Sequence, residues 1–175
     1  SEMPAMTEGK LHGFQLWVNM PAKYKMNKPE YIYIDAKEMQ IHKDDEKKIK
    51  IIAGKFGEAE GPVKGHNIEP VYFDIEIEKG KKFTFNIPST HNSLIYLIEG
   101  EVKVGEQIHD PVKDSTLIIL TRGEKLKVSG LTKAKFLLIS GKPIGEPIAR
   151  GGPFVMNTKE EILKAVQDYH NGTFV

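Results

Sequence analysis

The chain has 175 residues, a length typical of one folded domain with a short extension, and its 25 basic and 24 acidic residues leave a net charge of +1. It contains no cysteine, which excludes disulfides, thiolate metal sites and cysteine nucleophiles. Basic residues are nowhere dense enough to follow a phosphate backbone, and no apolar run reaches the ~20 residues that span a bilayer. We therefore expect an intracellular protein, cytoplasmic or nuclear, that binds neither nucleic acid directly nor a membrane.

The first predicted element is a strand over residues 12–19. Phe14, Leu16 and Val18 stand at alternate positions, with Trp17 between the last two, so both faces of this strand would be apolar. An exposed apolar strand tends to pair with another strand. We therefore expect this strand to dock against the rest of its own chain or across a homodimer interface.

The middle of the chain carries strand patterns separated by glycine turns. From Val71 to Ile77 apolar residues alternate with a tyrosine and acidic residues, which predicts one face against a core and one toward water. After a turn at Lys79-Gly80 the alternation resumes over 83–87. Three further runs are apolar on both faces and are predicted to be strands buried between two sheets, at 94–98, 117–120 and 136–139. Many short strands with glycine turns favour an all-β sandwich or barrel.

One helix is predicted near the end of the chain. Thr158 can cap it, Glu161 completes a capping box, and Gly172 is a suitable stop. Four apolar residues fall on one face of this helix: Ile162, Leu163, Val166 and Tyr169.

Three segments of the chain resemble the pirin family of two-domain cupins. They are Ser1-Glu2-Met3-Pro4 with residues 12–19, then Ile95 to Val102 with its glycine turn, and then Gly151-Gly152-Pro153-Phe154-Val155-Met156-Asn157-Thr158. The third segment is long and unusual in composition, so chance is a poor explanation for the resemblance.

The resemblance implies an all-β cupin jelly roll with one C-terminal α-helix. Residues 1–28 would be the last strand or strands of the family's N-terminal cupin and a linker. Residues 29–156 would be the C-terminal cupin, and residues 157–175 the C-terminal helix and tail.

The resemblance also implies a mononuclear iron in the N-terminal cupin of the family, held by a His-x-His pair and a His-x-Glu pair. Of these ligands the sequence contains Glu2, whose partner histidine would stand one position before Ser1. A non-haem iron site needs at least two imidazoles and a carboxylate. We therefore expect Glu2, a remnant of the pair, not to bind metal alone, and we expect no cofactor in this chain.

The C-terminal cupin is predicted to be free of metal as well. The family's spacing places Asn86 and Pro88 where paired histidines would stand, and Asn92 where a carboxylate would stand. His91 is the imidazole nearby, and a lone imidazole is more often a hydrogen-bonding loop or core residue than a ligand.

Three functions stay open at this point. The resemblance implies iron-dependent quercetin 2,3-dioxygenase activity for the family, with Glu2 as ligand and candidate base in a longer chain, and we expect this chain alone to be inactive. One alternative is a transcriptional coregulator that meets a DNA-binding transcription factor. The other is a metal-free cupin that binds a small ligand in its interior, which Tyr72 and Tyr96 would line unless they are packing residues.

Overall fold

Short strands dominate the computed structural model, which describes residues 8–65, 68–106 and 110–174. The strands are β1 (Gln40–Lys43), β2 (Lys47–Ala53), β3 (Lys55–Phe56), β4 (Ala59–Glu60), β5 (Val71–Ile77), β6 (Lys82–Asn86), β7 (Asn92–Glu99), β8 (Glu101–Val104), β9 (Val112–Lys113), β10 (Thr116–Ile119), β11 (Lys125–Gly130), β12 (Ala134–Gly141), β13 (Ala149–Gly151) and β14 (Phe154–Met156). Helix α1 (Lys159–His170) follows them, and two 3₁₀ turns, Ala22–Tyr24 and Ala36–Glu38, precede them. The prediction of a mostly β fold with one C-terminal helix is confirmed. In the part of the chain that the structure describes, no helix has the length and apolar character needed to cross a membrane.

Two antiparallel sheets form the sandwich. One has six strands in the order β1-β2-β5-β12-β7-β10, and the other has four in the order β6-β11-β8-β9. The predicted strand from Val71 to Ile77 is confirmed as β5, in which every second residue is buried. Strands β2 and β12 pair with β5 on its two sides, so both edges of its backbone are hydrogen-bonded.

The core lies between the two sheets and contains aromatic rings from both. Phe83 of β6 meets Phe136 of β12 edge to face, with ring centroids 5.8 Å apart. Phe85 meets Phe73 of β5 in the same manner at 5.1 Å. The edge-to-face arrangement suits the ring quadrupoles, and full burial of one such side chain contributes about 1.5–3 kcal/mol. These contacts join the four-stranded sheet to the six-stranded sheet.

Strand β10 forms where predicted, but only one of its faces is buried. Leu117 and Ile119 are 54% and 79% exposed, whereas Ile118 packs against the core. The prediction of burial on both faces over 117–120 is wrong for the outer face. The physical reason is that β10 lies at the edge of its sheet.

The segment 12–19 is not a strand, so that prediction is wrong. A strand needs a neighbour that pairs with its backbone N–H and C=O groups, and no strand among the described residues pairs with this segment. Phe14 nevertheless lies against Tyr96 on the outer face of the six-stranded sheet, with ring centroids 5.5 Å apart. The segment therefore contacts its own cupin, one of the two arrangements expected from the sequence, while Trp17 is 71% exposed.

The predicted capping box of helix α1 is confirmed. The Glu161 N–H donates to Thr158 Oγ1 at 3.2 Å, and the Thr158 N–H donates to Glu161 Oε2 at 3.0 Å. The helix ends at His170, and Gly172 follows with a φ of 69°. Glycine adopts this left-handed conformation without steric cost, which explains the stop.

The buried side of α1 differs in part from the predicted face. Ala165 is buried, whereas Leu163 and Tyr169 are exposed. The helix packs so closely on the β13–β14 hairpin that a Cβ added to Gly151 would lie 2.5 Å from the Ile162 side chain. The hairpin therefore covers the side of α1 around Ile162, and the outer part of the predicted face remains in water.

Candidate functional site

A cleft of about 650 Å³ opens at one end of the sandwich. Its walls come from β7, β8, β10 and β11, from the segment that joins β6 to β7, and from the loop that joins β10 to β11. Besides the exposed Ile119, the apolar lining consists of Ile87, Val104, Ile118, Leu120 and Leu126. These side chains belong to the core or pack directly against it, so the cleft extends the core to the surface.

His91 and Ser93 are polar residues of the cleft wall that lie next to the core. The His91 side chain is 3% exposed, and its Nδ1 is 3.3 Å from Ser140 Oγ, which is in turn 2.8 Å from Ser93 Oγ. Strands β7 and β12 pair so that Ser93 stands opposite Ser140. His91 is thus a hydrogen-bonding core residue, the reading that the sequence favoured for a lone imidazole.

Glu69 approaches His91 from the other side of the ring. Its Oε2 is 3.8 Å from His91 Nε2, which is too long for a hydrogen bond, and its Oε1 is 3.9 Å from Lys142 Nζ. Glu69 has a φ of 48°, in the left-handed region that is costly for residues other than glycine. Its neighbour Ile68 is held in place because the Lys142 N–H donates to the Ile68 carbonyl at 2.7 Å. Glu69, His91, Ser140 and Ser93 therefore lie side by side in this order, from an exposed carboxylate to the Ser93 hydroxyl in the cleft.

Basic side chains lie at the rim of the cleft. They are Arg122 in the β10–β11 loop and Lys125 and Lys127 in β11. Lys127 forms an ion pair with Glu106, the carboxylate among the described residues of the lining. The hydrogen bond from Lys127 lowers the pKa of Glu106, and the charges of Lys127 and Lys125 act in the same direction. Glu106 is therefore ionised at neutral pH and neutralises one of the three cations.

The described residues do not fit an iron site. Asn86 ends β6 opposite Lys125, and no group of three or more metal-ligating His, Asp or Glu side chains occurs in residues 8–65, 68–106 and 110–174. His91 directs one ring nitrogen to Ser140 and the other toward Glu69. A site with two imidazoles and a carboxylate is therefore not assembled there. Glu2, the candidate metal ligand of the sequence, lies outside the described residues.

Tyr72 and Tyr96 lie on the outer face of the six-stranded sheet, away from the cleft. Their neighbours Phe73 and Leu97 point into the core, and side chains alternate along a strand. Burial raises the pKa of Tyr72, and the charge of Asp74 adds to this effect. Both tyrosines are packing residues, so the alternative in which they line the interior is wrong.

A smaller pocket of about 230 Å³ lies between the first 3₁₀ turn and α1. Its polar side chains already serve the fold: Lys25 Nζ donates to the Val155 carbonyl at 2.9 Å, and Asn157 Nδ2 donates to Glu146 Oε2 at 2.9 Å. Glu161, also in its lining, caps the helix. The larger cleft therefore has the better combination of free volume and polar groups.

Sequence reasoning singled out His91 as a hydrogen-bonding residue, not as part of a binding site, and it missed Ser93, Ser140 and Arg122. Ser140 did carry a signal, because it occupies a core-facing position in the alternation that begins at Phe136. A serine at such a position needs a hydrogen-bond partner. Its partner is 47 residues away in the sequence, and only the pairing of β7 with β12 identifies it.

Known proteins are similar to this chain over nearly its whole length. A sequence model described as the Pirin C-terminal cupin domain matches residues 72–175. A Pirin-like protein of Caulobacter vibrioides is 37% identical over 177 residues, which cover 99% of this chain and 63% of that protein. The Pirin of Homo sapiens is 34% identical over 176 residues, which cover 98% of this chain and 59% of that protein. The chain therefore spans less than two thirds of these relatives.

A solved structure shows the same architecture. The crystal structure of a quercetin 2,3-dioxygenase from Acinetobacter baumannii superposes with a TM-score of 0.82 at 34% sequence identity. The superposition covers 90% of this chain and 55% of that chain. Together with the domain match, it confirms the cupin fold expected from the sequence.

Proposed function

This chain belongs to the pirin family, and from that premise we propose that its cupin binds a small organic molecule in the cleft, without a metal of its own. The observation that carries the proposal is the cleft, whose volume of about 650 Å³ lies within the range of roughly 300–1,000 Å³ found for small-molecule sites. Such sites combine an apolar wall with a few polar groups that orient the ligand. Here Ile118 and Leu126 contribute to the wall, and His91 and Ser93 are polar groups in it.

The polar groups are suited to orient a ligand. The Ser93 hydroxyl can both donate and accept hydrogen bonds, and its contact with Ser140 restrains its position. Ser140 is itself buried and in contact with His91. Ser93 can therefore offer a held hydroxyl to a carbonyl or phenol group, while the apolar wall removes the rest of the ligand from water.

A second candidate function is quercetin 2,3-dioxygenase activity, favoured by the similarity to the Acinetobacter baumannii structure of that name. This chain covers 55% of that structure, and its described residues do not supply the donors of an iron site. We propose that any such activity needs ligands from outside the described residues, with Glu2 as one of them. In that case the reaction with oxygen takes place outside the cleft, at a site that the described residues do not form.

Thermal unfolding of the chelator-treated full chain with quercetin tests the first candidate. A ligand present at about 100 times its dissociation constant stabilises the native state by about 2.7 kcal/mol. For a chain of this size we expect the melting temperature to rise by about 5–10 °C.

Two glycines provide a matched pair of variants for this test. Gly123 lines the cleft, and a Cβ added there meets no atom within 4 Å, so a side chain can begin there without a clash. Gly13 has the same freedom and is not part of the cleft lining. We expect Gly123→Phe to remove the stabilisation and Gly13→Phe to keep it. Stabilisation that appears only after Fe(II) is added would support the second candidate, and no stabilisation in either state would contradict both.

A further inference from the structure

We infer that the molecule this cleft takes is a small organic anion, with its apolar body inside the cleft and its acidic group at Arg122 and Lys125. This inference rests on the proposed function, because it names the class of ligand that the cleft binds. Charge, position and the chemistry of the wall each support it.

The first observation is the balance of charge at the rim. Among the described residues of the lining, three cations face one carboxylate, which leaves a net charge of +2 in a chain whose total is +1. Glu106 is paired with Lys127. Within residues 8–65, 68–106 and 110–174, no carboxylate forms an ion pair with Arg122 or Lys125. The lining cations without an ion-pair partner in these ranges are therefore Arg122 and Lys125, although the charge of Lys125 also acts on Glu106.

The second observation is that backbone hydrogen bonds hold the segment that carries these cations in place. The Leu120 N–H donates to the Ser93 carbonyl at 3.0 Å, so the chain that leads to Arg122 starts beside the polar part of the wall. On the other side of the loop, the Ile87 N–H donates to the Glu124 carbonyl at 3.0 Å. Both ends of the loop are thus tied to the walls. A ligand that enters the cleft meets cations on a fixed segment, which lowers the ordering cost of binding.

The third observation is that the wall deeper in the cleft cannot hold an ionised group. Val104, Ile118 and Leu126 offer no hydrogen bonds, and an uncompensated charge beside them would lose its hydration. An acidic group is therefore favoured at the rim, where water, Arg122 and Lys125 are present. The guanidinium group of Arg122 can bind a carboxylate through two parallel hydrogen bonds. A compact aromatic or aliphatic acid can place its apolar body against the inner wall and its acidic group at the rim.

Two probes of the same shape separate charge from apolar burial: 1-naphthoate and its neutral amide, 1-naphthamide. Their affinities for the chelator-treated full chain are measured by isothermal titration calorimetry at about 20 mM and about 200 mM salt. At low salt we expect naphthoate to bind about tenfold more tightly than naphthamide, and we expect salt to reduce the difference. Removal of the rim charges in the double variant Arg122→Gln/Lys125→Gln should weaken naphthoate about tenfold and leave naphthamide unchanged.

Arg150→Gln is the matched control, because it removes the chain's other arginine from an exposed position in β13 outside the cleft lining. Equal binding of the two probes would overturn the inference while supporting the cleft as a binding site. Equal losses in the double variant and in Arg150→Gln would also overturn it, because the preference would then reflect overall charge. If neither probe bound while quercetin raised the melting temperature, the anion class would be wrong and the proposed function would stand. If quercetin failed as well, both would be wrong.

Discussion

The serine pair beneath the cleft shows how single residues connect this fold to its site. Ser140 lies between His91 and Ser93, and its hydroxyl is within hydrogen-bond distance of both. Ser140 and His91 are buried, so water cannot easily replace a lost partner. The same hydroxyl therefore serves the stability of the core and the orientation of Ser93 in the cleft.

Removal of this hydroxyl in Ser140→Ala should lower the free energy of unfolding by about 1–3 kcal/mol, because it leaves buried polar atoms without a partner. Chemical denaturation measures this change. Ser89→Ala, at an exposed turn before β7, is the control and should change stability by less than about 0.5 kcal/mol. An equal stability of the two variants would show that the serine pair is not a stabilising contact.

At the scale of elements, the segment 12–19 differs most from its prediction. Its alternation resembles that of β5, but β5 has β2 and β12 beside it, whereas the segment has no paired strand among the described residues. Phe14 is nonetheless in contact with Tyr96. An apolar segment in this state has unused backbone hydrogen-bonding capacity and exposed apolar side chains.

We propose, as the sequence suggested, that a second copy of the chain pairs through this segment. Trp17→Glu would place a charge at the centre of the interface, and we expect it to convert a dimer to a monomer in light scattering coupled to size exclusion. Ile148→Glu changes an exposed apolar residue elsewhere and should leave the dimer intact. A monomer at all concentrations for the unmodified chain would contradict the proposal.

Prediction from the sequence was accurate for elements whose local residue pattern agrees with their pairing in the folded structure. The capping box at Thr158 depends on residues three apart, and β5 depends on simple alternation, so both are confirmed. Burial of β10 depends on its place at the edge of the sheet, which no local pattern contains. For the same reason His91 was visible in the sequence, whereas the register that places Ser140 beside Ser93 was not.

At the scale of the whole molecule, the described part of the chain combines an apolar core with a large cleft that opens from it. The described residues do not assemble the donors of an iron site. A longer protein with a similar structure nevertheless carries the name quercetin 2,3-dioxygenase. Ligand binding in the cleft and a reaction with oxygen can therefore be tested separately in this chain.

Addition of Fe(II) to the chelator-treated chain should neither raise its melting temperature nor leave stoichiometric iron after gel filtration. The reason is that the described residues contain no group of three or more metal-ligating side chains, and Glu2 alone does not supply the two imidazoles that such a site needs. Glu2→Gln should behave in the same way as the unmodified chain in elemental analysis. Stoichiometric iron that is lost in Glu2→Gln would contradict this expectation.

The exposed position of Trp17 has a consequence for optical spectroscopy. Trp17 is the sole indole of the chain, and the large rings of the core are phenylalanines. In the single chain the intrinsic fluorescence is therefore expected to be that of a solvated indole and to change little when the sandwich melts. Fluorescence will then report little of the unfolding that circular dichroism records, and this disagreement between the two probes is not a sign of an intermediate. A blue-shifted emission, in contrast, reports that another surface has covered the segment around Trp17.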